Sequence, residues 1–130
     1  MANVECRQVA LGDAPGELPI FVDDQFSSLA VPLRPESSQQ MVTVVRGDDL
    51  PNLPVPTVVK IDVEGYEVEV IRGMHGILGG VRAMFIEIHF QILAQRGMMH
   101  APTRLVKDLQ RLGFSRIEWP DASHIAAFRA

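Results

Sequence analysis

The sequence predicts one α/β domain built on an open sheet, with a β-hairpin near the N-terminus. Strand-like and helix-like segments alternate after residue 57, which is typical of strands joined by helical crossovers. The run Thr57–Ile61 is almost continuously apolar and lies between chain-breaking residues, as in a strand covered on both faces. The chain of 130 residues has the ordinary size of one domain, so we assign residues 1–130 to a single domain.

The N-terminal third predicts three strands and one long loop. Val4–Leu11 alternates loosely between polar and apolar residues and ends at the turn sequence Gly12–Gly16. Glu17–Val22 alternates again, and the short connection predicts an antiparallel hairpin with the first strand. Asp23–Gln40 is rich in Ser, Asp, Gln and Pro and predicts a loop, whereas the β-branched run Met41–Val45 predicts a third strand.

The C-terminal part predicts an alternation of helices and strands. After Thr57–Ile61, apolar residues recur at helical spacing, glutamates occupy the opening turns, and Gly79 ends the helix. Pro102 suits the first turn of a later helix. The remaining predicted elements are a strand over Arg82–His89, helices over Phe90–Gln95 and Thr103–Leu112, and strands over Phe114–Trp119 and His124–Phe128.

Composition excludes several classes of function. The formal net charge of −4 and the lack of a dense basic stripe argue against a nucleic-acid partner or an anionic membrane surface. No apolar run approaches the roughly 18 residues that span a bilayer. The lone Cys6 cannot form an internal disulfide, and residues 1–7 do not resemble a signal peptide. These features predict a cytoplasmic location.

Polar residues follow two predicted strands at the point where each strand ends. Asp62 and Glu64 follow Thr57–Ile61, while Glu87 and His89 lie at the end of the next predicted strand. Ligands of open α/β sheets collect beyond the carboxyl ends of the strands, and strands joined by one helix are often neighbours. We therefore expect these four side chains to face one crevice.

Each of these residues also has a structural interpretation. Asp62 or Glu64 can cap the following helix. Lys60 and Glu87 both interrupt apolar strands, which favours a buried ion pair between the strands over a role in a site. A metal site with Asp62, Glu87 and His89, as in a hydrolase, is the weakest alternative because the spacing is not diagnostic, so no metal is predicted.

The other three histidines have no spacing that connects them to a site. We expect them at the surface or in loops; they are His75, His100 and His124.

The stretch Val59–Gly73 closely resembles the signature of the FkbM-type S-adenosylmethionine-dependent methyltransferases. Val9–Asp13 with Gly16 is similar to the third strand and turn of that family, and Ile86–His89 resembles its fifth strand. Val42–Val45 with residues 48–50 resembles the segment before the signature. The resemblance implies a partial Rossmann-like methyltransferase sheet, mostly parallel, with an antiparallel strand at its C-terminal end.

The resemblance also implies a cofactor, an acceptor and roles for particular residues. The cofactor is S-adenosylmethionine, and the acceptor is a hydroxyl of a small molecule or glycan. Asp62, Glu64 or His89 would orient or deprotonate that hydroxyl. The cofactor-binding residues would be Ala10, Leu11, Gly12 and Asp13 on the adenine side, with Asp62 near the methyl group.

One part of the family pattern has no counterpart in this sequence. The family's first strand with its glycine-rich cofactor loop, and its second strand, would precede the segment that resembles the third strand. The chain therefore resembles a truncated, C-terminal part of the domain, with a gap in the sheet and unpaired strand edges. We expect a rearranged sheet, self-association or a partner chain that completes the sheet. The alternative function is a methyltransferase-like remnant or partner domain that binds no cofactor alone.

Overall fold

The computed structural model describes residues 3–23, 27–32 and 35–130, which form two four-stranded sheets and three α-helices. The first sheet has the order β1-β4-β2-β3 and the second has the order β5-β6-β8-β7. The strands of the first sheet are β1 (Ala10–Leu11), β2 (Gly16–Val22), β3 (Ser27–Ser28) and β4 (Ser38–Val45). Those of the second are β5 (Val58–Ile61), β6 (Ala83–Glu87), β7 (Arg116–Glu118) and β8 (His124–Phe128). The helices are α1 (Glu67–Arg72), α2 (Phe90–Gln95) and α3 (Ala101–Arg111).

The predicted Rossmann-like, mostly parallel sheet is wrong. Within the described residues, β1–β4 and β5–β6 are the parallel pairs, whereas β2–β3, β2–β4, β6–β8 and β7–β8 are antiparallel. A parallel pair needs a long crossover connection. Between β5 and β6 this crossover consists of α1 and a 3₁₀ turn at Ile77–Gly80, while a short turn joins the antiparallel strands β7 and β8. The sheets are therefore mixed, and the C-terminal strands run antiparallel.

The predicted N-terminal hairpin is also wrong, because β4 lies between the two strands that were expected to pair. β1 pairs with β4 in parallel through Ala10 and Leu11, and β2 pairs with the same strand in antiparallel fashion along its whole length. The predicted loop Asp23–Gln40 contains β3 and the start of β4, and its residues 24–26 and 33–34 lie outside the described part of the chain.

Strand β5 lies at the edge of the second sheet, and the prediction that both of its faces are covered is wrong. Val59 and Ile61 are buried, whereas Val58 and Lys60 are exposed, so the strand has one core face. Its parallel pairing with β6 matches the expected neighbour relationship. As a result, the carboxyl ends of β5 and β6 lie side by side and bring their terminal polar residues to one edge.

The core lies between the second sheet and the helices. Buried apolar residues of β6 and β8 pack against those of α1, α2 and α3. The largest of these side chains include Ile71, Met84, Ile86, Leu93, Leu109, Phe114 and Ile125. Burial of an aliphatic side chain contributes roughly 1.5–3 kcal/mol, so this cluster fixes the second sheet under the site.

The two halves of the chain meet where α1 ends at Gly73. The backbone N–H of Asp48 donates to the carbonyl of Gly73 at 2.9 Å. A Cβ at Gly73 would lie 1.9 Å from the carbonyl oxygen of Gly12, so only glycine fits this approach. The end of α1 thus fixes the turn after β1 relative to the second sheet.

Within the described ranges, the helices are too short or too polar to cross a lipid bilayer.

Candidate functional site

The segment between β5 and α1 is a left-handed turn. Glu64 has φ 48° and Gly65 has φ 91°, and a Cβ at Gly65 would lie 2.3 Å from Cγ2 of Ile92. Glycine allows this conformation, which leads the chain from the strand into the helix. Ser28 of β3 donates its hydroxyl to the carbonyl of Glu64 at 2.8 Å. The first sheet thus contacts the turn that presents the acidic residues.

Glu67 is the buried residue on which the site depends. Its side chain is fully buried, and Oε1 accepts the N–H of Gly65 at 2.9 Å. The same oxygen lies 2.6 Å from Nδ1 of His89, which therefore donates to it. The second oxygen, Oε2, is buried without a hydrogen-bond partner among the described residues. Glu67 thus sets the orientation and the tautomer of His89.

The other ring nitrogen of His89 faces three carboxylates. Nε2 lies 3.2 Å from Oε2 of Glu64, 3.8 Å from Oδ1 of Asp62 and 4.0 Å from Oε1 of Glu87. We call this group, together with Glu67, the histidine–carboxylate cluster. These distances confirm that the four side chains at the ends of β5 and β6 lie together, as expected for neighbouring strands.

The electrostatics of the cluster follow from these contacts. The hydrogen bond to Glu67 raises the pKa of His89 above 6.5, and the other carboxylates add to the effect. Burial raises the pKa of Glu64 above 4.5. The hydrogen bond from Lys60 lowers the pKa of Asp62 below 3.8. The 3.2 Å approach of Glu64 to Nε2 therefore favours the protonated form of His89.

Two basic side chains contact the cluster from outside, and the position of Lys60 corrects one prediction. Lys60 is exposed and pairs with Asp62 at 2.8 Å, so the predicted buried pair with Glu87 is wrong. Glu87 instead faces His124, whose Nε2 lies 3.4 Å from Oε2 of Glu87. His124 also contacts Asp121 at 2.9 Å, and this contact raises the pKa of His124. The pKa of Asp121 is lowered to about 2, first by the hydrogen bond from the backbone N–H of Ser123 and then by His124.

A cleft of about 380 Å³ lies beside the cluster, between β5 and the first sheet. We call it the inter-sheet cleft. Its walls are mostly apolar, and they include Ala10 and Leu11 on one side and Asp62 on the other. The predicted cofactor residues Gly12 and Asp13 are at the turn after β1. Gly12 donates its N–H to Val45, and Asp13 lies 4.0 Å from Arg72.

Two residues of the site, Glu67 and His124, have no site role among the predictions from the sequence. Glu67 stands three and four residues before Val70 and Ile71, so it lies on the apolar stripe of α1. An acidic residue on such a stripe needs a buried partner, and that signal was available. His124 reaches the site because it lies opposite Glu87 in the antiparallel register, which the sequence does not reveal.

Comparison with known proteins identifies the family. Residues 3–116 match the family model of the methyltransferase FkbM domain, and the chain therefore belongs to this family. A segment of 51 residues is 43% identical to the hexuronic acid methyltransferase AglP of Haloferax volcanii. The matched segment covers 37% of this chain and 21% of that protein, so the chain spans about a fifth of its relative. No solved structure matches the chain.

Proposed function

We propose that the chain acts in the transfer of a methyl group from S-adenosylmethionine to a hydroxyl oxygen of a small molecule or glycan. Family membership supports methyl transfer as the class of reaction. The observation that carries the proposal is the position of Asp62, which lines the inter-sheet cleft and also faces His89 in the cluster. A cofactor in the cleft and an acceptor at the cluster would therefore be adjacent, as methyl transfer requires.

The inter-sheet cleft is compatible with the cofactor in size and in chemistry. Its volume of about 380 Å³ falls within the range of small-molecule sites, roughly 300–1,000 Å³. Leu11, Ile20 and Leu29 provide apolar walls that suit an adenine ring, and Asp62 provides a carboxylate at one end. A cavity between α1 and α3 is about 140 Å³ and is too small for the cofactor.

The residues of the chain would position the acceptor and accept its proton. When bound, S-adenosylmethionine supplies a methyl group on a positively charged sulfur. Glu67 keeps the proton of neutral His89 on Nδ1, so Nε2 is the nitrogen that can accept a proton from a hydroxyl. Asp62 and Glu64 can accept hydrogen bonds from neighbouring hydroxyls of the acceptor. Since the pKa of His89 is raised, we expect the reaction to be faster at alkaline pH.

A sugar acid is the acceptor class that we favour. The relative AglP is named a hexuronic acid methyltransferase, which motivates the choice. A groove next to the cluster includes Phe90 and Trp119, whose rings lie 6.1 Å apart, and also Lys107. Phe90 directly follows His89 in the chain. Aromatic faces suit the apolar side of a sugar ring, and a lysine suits its carboxylate.

Calorimetric titration of the 130-residue chain with S-adenosylmethionine tests the proposal. We expect saturable binding that the Asp62→Asn variant weakens and the Asp108→Asn variant does not change. Asp108 is a matched control because it lies on α3 and pairs with Arg111 outside the site. An absence of heat at millimolar ligand would refute cofactor binding by this chain and would favour the non-catalytic alternative.

Radiolabelled methyl transfer to glucuronic acid tests the acceptor class. We expect the His89→Gln variant to lose the reaction, and the Trp119→Ala variant to raise the KM for the acceptor with little change in kcat. Phe85→Ala is the control, because Phe85 is an exposed aromatic residue that packs on Phe128 away from the groove. If Trp119→Ala leaves the acceptor KM unchanged, the groove is not the acceptor site.

A further inference from the structure

We propose that Asp62, Glu87 and His89 bind a divalent cation, Mg²⁺ or Mn²⁺, at the carboxyl ends of β5 and β6. Each residue offers one ligand atom, and these atoms lie within 4.8 Å of one another. Nε2 of His89 is 3.8 Å from Asp62 and 4.0 Å from Glu87. With ligand distances of about 2.1 Å, the donors of one octahedral ion lie about 3.0 to 4.2 Å apart. The three atoms are therefore close to the spacing that a single ion imposes.

Glu67 provides an independent observation in favour of a metal ion. Histidine ligands usually donate their second ring N–H to a carboxylate, which fixes the ring and leaves the other nitrogen for the metal. Glu67 occupies this position: it is fully buried, its Oε1 accepts the N–H of Nδ1, and its Oε2 lacks a partner among the described residues. Nε2 is thereby directed at Asp62, Glu64 and Glu87.

The charge balance of the cluster also favours a cation. Four carboxylates lie within 4.0 Å of one imidazole ring. Lys60 and His124 each contact one of these carboxylates from the outside. Even with Lys60 counted, four carboxylates around one imidazole leave an excess of negative charge, which a divalent ion would offset. Glu64 is 3.2 Å from Nε2 and would either become a further ligand or accept a hydrogen bond from a metal-bound water.

The ligand set favours a hard ion with open coordination positions. Two carboxylates and one imidazole leave three positions of an octahedron for water or acceptor oxygens. A hydroxyl and a carboxylate of a sugar acid could occupy two of them, and the ion would then lower the pKa of the bound hydroxyl. With the ion bound, Nε2 of His89 is a ligand, and Glu64 instead would accept the proton of the hydroxyl. This role rests on the proposed function, whereas the binding of the ion itself does not.

Titration of the chain with MnCl₂, followed by calorimetry and by the electron paramagnetic resonance of free Mn²⁺, tests the site. We expect one ion per chain, displaced by excess Mg²⁺. The variants Asp62→Asn and Glu87→Gln should each weaken binding by at least about 10-fold, and Glu67→Gln should weaken it by about 10–100-fold. The controls Asp108→Asn and Glu118→Gln remove exposed carboxylates outside the cluster and should bind as the unaltered chain does.

Three results would overturn the inference: no binding at millimolar Mn²⁺, binding that the Asp62→Asn and Glu87→Gln variants retain, or binding of Zn²⁺ alone. Asp62 is 42% exposed, so its isosteric replacement is compatible with the fold, and far-UV circular dichroism verifies this. Binding of S-adenosylmethionine without Mn²⁺ binding would refute the metal site alone. Binding of Mn²⁺ without cofactor binding or methyl transfer would refute the proposed function alone.

Discussion

At the scale of single residues, the site depends on the contact between Glu67 and His89. A fully buried carboxylate is costly unless it is hydrogen-bonded, and Glu67 meets this requirement through Gly65 and His89. This contact orients the imidazole ring so that Nε2 faces Asp62 and Glu64. Glu67, a buried residue of α1, therefore orients His89, whose Nε2 faces the site outside the core. This contact links the stability of the fold to the chemistry of the site.

The raised pKa of His89 predicts that the chain becomes less stable as pH rises. A group whose folded pKa exceeds its unfolded value near 6.5 contributes stability that is fully present below that value and is lost above the folded pKa. The charges that face His89 are those of Asp62, Glu64, Glu67 and Glu87. Urea denaturation from about pH 6 to pH 9 should show a falling free energy of unfolding.

Two histidine variants separate the contribution of His89 from that of its neighbour. His89→Gln should reduce the decrease in the free energy of unfolding with pH, because the titrating imidazole is removed. His124→Gln should leave most of it, since the ion pairs of His124 are solvent-exposed and weak. A decrease that survives in His89→Gln but disappears in His124→Gln would contradict the assignment.

The sequence predicted the residues of the cluster that lie at the strand ends, but not the buried Glu67 that orients His89. Asp62, Glu64, Glu87 and His89 could be predicted because polar residues that end two neighbouring strands must share an edge. The role of Glu67 was missed because its position in the first helical turn also suits the helix dipole, which is sufficient to explain a glutamate there. Burial, and not sequence position, distinguishes the two interpretations.

At the scale of elements, the site depends on how α1 begins and how it ends. The turn before α1 presents Glu64, and the helix itself begins at Glu67. The residue after its end, Gly73, touches the turn after β1. Asp48 reinforces this contact, because its carboxylate accepts the N–H groups of Gly76 and Ile77 at 3.0 Å. A short helix with both ends fixed keeps the cluster and the cleft in a constant relative position.

Replacement of Gly73 by alanine should destabilise the chain by about 1–3 kcal/mol. The added Cβ would lie 1.9 Å from the backbone oxygen of Gly12, which no side-chain rotation can relieve. Gly79→Ala is the control, because a Cβ there meets nothing within 4 Å and should change stability by less than about 0.5 kcal/mol. Urea denaturation of both variants measures the difference, and equal stability of the two would show that the halves do not meet at Gly73.

Elements with strong local signals could be predicted, whereas strand pairing could not. The bounds of α2 and β8 agree with those predicted from the sequence, because Gly97 follows α2 closely and the turn residues Pro120–Ser123 precede β8. The hairpin of β1 and β2 was wrong because β2 instead pairs with β4, sixteen to twenty-eight residues away along the chain. A turn sequence such as Gly12–Gly16 reverses the chain in either arrangement, so it does not decide which strand becomes the neighbour.

At the scale of the whole molecule, the inter-sheet cleft separates two strands at sheet edges. β1 ends the order of the first sheet, and β5 ends that of the second. Unpaired strand edges are expected in this region from the sequence, and the described strands agree with that expectation. Exposed edges can pair with another chain, so we retain self-association or a partner chain as a proposal that size measurement in solution can test.

Mutations should affect ligand binding in the cleft and in the cluster separately, because Asp62 belongs to both but their other residues differ. Ala10→Phe would place a large ring in the cleft and should weaken binding of S-adenosylmethionine by at least about 10-fold, which corresponds to about 1.4 kcal/mol. The same variant should leave Mn²⁺ binding unchanged. Glu87→Gln should weaken Mn²⁺ binding and leave the binding of S-adenosylmethionine unchanged. Ala14→Phe adds the same ring at an exposed position outside the cleft and serves as the control. If Ala10→Phe weakened Mn²⁺ binding as much as cofactor binding, cleft and cluster would have to be a single site.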